Sequence, residues 1–126
     1  MSETHDARQW LGRREPSPPP RLLERMREAL NACEPLPRDL SAQLGEAAVF
    51  CLRSALERPE QRASALDLLA ADALLTYGCE AATLESPDAV ERFAESYGAA
   101  RLGSVLLPNA QVQRLHPGAS PRRSAK

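Results

Sequence analysis

Residues 60–84 read EQRASALDLLAADALLTYGCEAATL. At 100° per residue, Leu66, Leu69, Ala70, Ala73, Leu74, Tyr77 and Ala81 fall on one face of a helix. Leu68, Ala71, Leu75, Cys79 and Ala82 form a second apolar strip on the far side. A helix that is apolar on two sides belongs at the centre of a fold, with neighbours on both. Two polar seams separate the strips. One holds Asp67 and Gly78; the other holds Asp72, Thr76 and Glu80 at i, i+4 and i+8.

The composition of the whole chain agrees with a helix at its centre. Its 126 residues include 21 alanines and 19 leucines, but only four valines, three threonines and no isoleucine, and aromatic residues make up 4%. Strands draw on β-branched and aromatic side chains, whereas alanine, leucine, arginine and glutamate favour helices. The predicted class is therefore all-α.

Upstream of the central helix, Leu40, Leu44, Ala47, Ala48, Cys51, Leu52, Ala55 and Leu56 give a second amphipathic helix from about residue 39 or 40 to 57. Gln43, Glu46, Arg53 and Glu57 occupy its polar side, and Phe50 lies with them as a large apolar residue out of place. Pro59 separates the two helices. Their stripes stay close in phase, so one long kinked helix is an alternative to a hairpin. The hairpin is preferred because Arg58, preceding proline, is disfavoured in the helical region. Further upstream, Leu22, Leu23, Met26, Ala29, Leu30 and Cys33 recur at helical spacing, giving a helix over residues 20–32 with Pro20 at its first position. Residues 1–19 are polar and run into EPSPPP at 15–20, which predicts a flexible arm and a stiff spacer.

Downstream, Ser86-Pro87-Asp88 has the chemistry of a helix start. Val90, Phe93, Ala94, Tyr97 and Ala100 would form the buried face of a fourth helix, stopping or bending between Gly98 and Gly103. Residues 108–126 carry four basic groups and no acid, a disordered basic tail by composition. The expectation is a small three- to four-helix bundle over residues 20–107, flanked by disordered arms. A domain that small buries a modest fraction of its surface, which makes self-association an obvious supplement.

Formal net charge is −1, which supplies no global field to attract nucleic acid or an anionic membrane. The charge is unevenly placed: residues 33–85 carry four basic and nine acidic groups, residues 86–126 six and three. No apolar run is long enough to span a bilayer, and the first residues lack the pattern of a signal peptide. Cys33, Cys51 and Cys79 form no even framework and no CxxC. The chain reads as cytoplasmic, with reduced thiols that act as small buried hydrophobes.

Chemistry is sparse. The glycines at 12, 45, 78, 98, 103 and 118 are too scattered for a phosphate loop, so no cofactor is expected. His5 and His116 lie in the arms, away from the cysteines, which argues against a metal site or a histidine-activated nucleophile. Asp72, Thr76 and Glu80 are the candidate ligand-binding residues, because carboxylates sharing a helix face can serve acid–base work or hold a cation in a desolvating cleft. A solvated polar seam is the plainer reading. Trp10, Leu11 and Phe50 are the candidate partner contacts, as large apolar groups in polar surroundings; for Trp10 and Leu11, docking onto the chain's own core is the preferred reading, since Trp10 is the largest apolar group a small bundle could recruit. Arg122, Arg123 and Lys126 offer too few charges, without aromatic platforms, to make nucleic-acid binding a strong expectation. The functional expectation is a non-catalytic protein-interaction module, adaptor, regulatory or assembly, with a protein partner or self-association. The alternative is a helical domain that binds or transforms a small molecule in a carboxylate-lined pocket on the third helix.

Overall fold

A computed structural model describes residues 6–107, which fold into six helices with no strand among them. In chain order these are α1 (Ala7–Gly12), α2 (Pro20–Ala32), α3 (Leu40–Glu57), α4 (Arg62–Glu85), α5 (Pro87–Tyr97) and α6 (Ala99–Leu106). The all-α class holds. Four longer helices form the body, and two short ones flank it. The expected disordered tail, 108–126, lies outside the described residues.

The frame is the α3–α4 hairpin. Arg58 closes α3 with φ −136° and ψ 66°, outside helical space, and α4 restarts at Arg62. Pro59 thus produces a hairpin instead of one kinked helix, as the restriction on a pre-proline residue predicts. On one side of this hairpin lie α2 and α1; on the other lie α5 and α6.

The main core joins Met26, Ala29 and Leu30 of α2 to Leu44, Ala47, Ala48 and Cys51 of α3 and to Ala70, Ala71, Leu74 and Ala81 of α4. A second cluster joins Val49 and Ala82 to Ala89, Phe93 and Tyr97 of α5. Alanines at the α3–α4 contact allow the helices to approach closely, and glycines go further. Gly45 faces the Tyr97 ring, and Gly78 faces the tip of Phe93. A β-carbon added there would come within 2.6 Å and 2.5 Å of those rings. Each ring sits in the notch left by a missing side chain.

Three expectations need correction. Residues 7–12, assigned to the flexible arm, form α1, with Ala7 and Leu11 fully buried. The Asp6 side chain caps this helix by accepting from the Arg8 N–H, and Arg8 binds Glu34 and Asn31 near the end of α2. Along α4, the buried line is Asp67, Ala70, Ala71, Leu74, Gly78, Ala81 and Ala82. The supposed seam of Asp67 and Gly78 is therefore the centre of the contact, while Leu68 and Leu69 on its flanks are 50% and 60% exposed. On α5 the buried residues are Ala89, Phe93 and Tyr97, leaving Val90, Ala94 and Ala100 exposed. The face is rotated by about one residue because the two rings must enter the glycine notches.

Ser86 does cap α5, accepting from the Ala89 N–H at 3.0 Å. Gly98 separates α5 from α6, within the interval expected for a stop or bend.

Candidate functional site

Asp72, Thr76 and Glu80 do not converge on a cavity. Asp72 is exposed, and the Thr76 hydroxyl donates to the Asp72 carbonyl at 3.0 Å, a bond internal to the helix. Glu80 is taken by α1's flank: Arg14 Nη2 donates to both of its carboxylate oxygens at 2.7 and 2.6 Å. The three residues share a helix face but make separate local contacts.

That arginine organises the docking of the N-terminal segment. Its guanidinium lies 4.6 Å from the Trp10 ring centroid and 5.2 Å from that of Tyr77. Trp10 meets Tyr77 edge-on, with centroids 6.0 Å apart and planes at 78°. Trp10 is half-buried against the main core and Leu11 is buried within it. Both residues considered as partner contacts therefore make intramolecular ones. One more anchor was not legible in the sequence: the Ala7 N–H donates to Gln43 Oε1 at 2.8 Å, and Gln43 Nε2 donates to the Pro37 carbonyl at 2.9 Å. Gln43, placed on the polar side of α3, is buried because α1 and the preceding loop satisfy it.

Phe50 is also half-buried, and its ring lies beneath the Arg25 guanidinium at 5.8 Å. Arg25 Nε donates to the Asp67 carboxylate, and its Nη1 donates to Glu28 at 3.1 Å. Asp67 is only 7% exposed, so its charge is tolerable on the buried line of α4 only because Arg25 arrives from α2. On the other side of the hairpin, the Tyr97 hydroxyl donates to Glu46 at 2.8 Å, and Arg101 of α6 stands 3.5 Å from the same carboxylate. Burial first, and then that acidic neighbour, push the Tyr97 hydroxyl above its ordinary range.

The cysteines occupy three environments. Cys51 is buried, and that burial pushes its thiol up to about 12. Cys33 is half-buried and is also raised, chiefly by burial. Cys79 is exposed, contrary to the expectation of a buried hydrophobe, so its strip of α4 is open in part.

That uncovered strip continues. Leu68, Leu75 and Ala82 recur at seven-residue intervals on α4; Gly45, Val49, Leu52 and Leu56 recur at steps of four, three and four on α3. They share one side of the hairpin. Where α5 and α6 lie, Ala82 and Val49 are buried, and Leu75 joins Leu102 and Val105 around them. Beyond that cover, toward the turn at Pro59, Leu52 is half-buried and Leu56 and Leu68 are 41% and 50% exposed. Leu106, at the end of α6, is exposed as well. Periodicity had placed Leu56 and Leu68 on buried faces; among the described residues, no helix covers that end of the hairpin.

Among the described residues no helix is long and apolar enough to cross a membrane, and no cluster of His, Cys, Asp and Glu has the grouping to hold a metal ion. His5, His116 and the basic tail lie outside the described residues. No family model, no curated protein and no solved structure matches this chain.

Proposed function

We propose that this chain is a non-catalytic assembly module that pairs with a second copy of itself through the open half of the hairpin. The reading is supported above all by the Leu52, Leu56, Leu68 and Leu75 strip, which continues the core but ends without a cover. Isolated exposed leucines are common, whereas a strip continuous with the core is the kind of surface that marks an interface. Burying a leucine contributes about 1.5–3 kcal/mol relative to leaving it in water, so a few on each side carry a small dimer.

A second copy is favoured by the charges beside the strip. Arg53 and Glu57 are both exposed, and neither has an ion pair among the described residues. A two-fold axis that runs two α3 helices antiparallel sets each arginine near the partner's glutamate. Such a patch is its own complement. Leu68→Asp tests the reading, because it places a charge on an exposed site that the folded monomer does not need. It is expected to abolish association on a sizing column while leaving the helical circular dichroism unchanged. Unchanged association in the folded variant would overturn the proposal.

A further inference from the structure

On the opposite side of the hairpin, α2 does not close fully against the turn between α3 and α4. A cavity of about 470 Å³ remains there, within the size range of small-molecule sites. It is lined by the Arg25–Asp67 pair already described, by Arg21 from α2, by Arg58 at the end of α3 and by Ser54.

The pairing of these charges is uneven. Arg25 pairs with both Asp67 and Glu28, which leaves that trio with one net negative charge. Arg21 and Arg58 make no ion pair or side-chain hydrogen bond among the described residues, and the Ser54 hydroxyl has no partner there either. Glu24 is the one lining carboxylate left uncompensated. Three arginines and three carboxylates balance in formal charge, but Arg21, Arg58 and the Ser54 hydroxyl keep their donors free for a ligand. The first turn of α4 adds to the positive side: Gln61 and Ala63 line the cavity, and Gln61 makes no side-chain cap, so the helix start remains open to it.

We infer that this cavity binds a compact oxyanion, a phosphate or carboxylate group on a small molecule, held between Arg21 and Arg58. Guanidinium groups match such anions because each can donate two parallel N–H bonds to a pair of oxygens. The carboxylates in the lining, Glu24 among them, disfavour an extended polyanion, so the site selects a single anionic group over a nucleic-acid backbone. The site is independent of the proposed pairing surface, which lies across the hairpin.

Titration calorimetry with inorganic phosphate and, separately, with malonate tests the inference in the full-length protein at constant ionic strength. Saturable binding of either anion is expected, with affinity at least tenfold weaker in Arg21→Gln and in Arg58→Gln. Arg92→Gln, on the exposed side of α5, is the control and is expected to bind as the parent does. The stronger-binding anion identifies whether phosphate or carboxylate is the preferred chemistry. Failure of both anions to bind saturably, or equal weakening in all three variants, would overturn the proposal.

Discussion

Gly45 and Gly78 show how single residues orient whole helices. Neither needs an unusual backbone; each matters because an aromatic ring from α5 occupies the place of its side chain. Replacing helical glycine by alanine ordinarily gains up to about 1 kcal/mol of helix propensity. Here Gly78→Ala would drive a methyl group into Phe93, and overpacking costs about 1–3 kcal/mol. Net destabilisation, measured by urea unfolding, is the expected outcome, and relief in Gly78→Ala combined with Phe93→Leu would trace the cost to that contact. The sequence places Asp67 and Gly78 in a polar seam because helical periodicity weighs each residue by its own polarity. Their compensations come from elsewhere, a guanidinium on α2 and a ring on α5, so no pattern within α4 could reveal them. The cysteines give a further residue-scale prediction. Thiolate is the reactive form, and burial suppresses it at Cys51. A thiol reagent at neutral pH is expected to label exposed Cys79 first and Cys51 only on unfolding; rapid labelling of Cys51 in the native protein would contradict its placement.

At the scale of elements, α1 is the instructive case. Six residues cannot hold a helix alone, since nucleation outweighs so few hydrogen bonds. The helix exists because Leu11 enters the core, Gln43 receives the Ala7 N–H and Arg14 bridges to Glu80. Leu11→Ala is expected to cost about 2–5 kcal/mol, the range for truncating a fully buried leucine. Little change in the urea midpoint would mean that α1 contributes little to the fold. The N-terminal anchor also carries a pH signature. The hydrogen bond from the Arg8 side chain, outweighing desolvation, holds the Asp6 carboxyl below its ordinary value. A lowered folded value contributes stability above the unfolded pKa, about 4, and that contribution disappears as pH falls through the lower value. Asp6→Asn is therefore expected to remove part of the acid-induced loss of stability below about pH 4, seen as a shallower fall in Tm than in the parent. Proline and capping signals made the hairpin and the start of α5 legible: Pro59 and Ser86 act locally, through backbone restriction and a single side-chain bond. Docking of Trp10 and Leu11 onto the core was legible from their size, but the helix that carries them was not, because a short polar stretch acquires its helix only from what it lands on.

At the scale of the molecule, the hairpin has two unlike sides. The α1–α2 side is fastened by aromatic and charged contacts through Arg8, Arg14 and Arg25. The α5–α6 side is apolar and covered over only part of its length. Composition predicted an alanine-rich bundle, and periodicity predicted two apolar strips on its central helix. What neither could supply is the length of the covering helices, and that length decides which leucines become core and which remain at the surface. Asp72, Thr76 and Glu80 attracted attention as polar residues in register, whereas the uncovered leucines were expected inside. Light scattering across a micromolar concentration series tests self-association through those leucines. The 126-residue chain, of 13.8 kDa, is expected to approach twice that mass as concentration rises. A variant combining Leu56→Asp with Leu68→Asp is expected to keep its helical content and remain at the single-chain mass. A parent protein that stays at 13.8 kDa throughout the series, or a folded variant that pairs as readily as the parent, would contradict it.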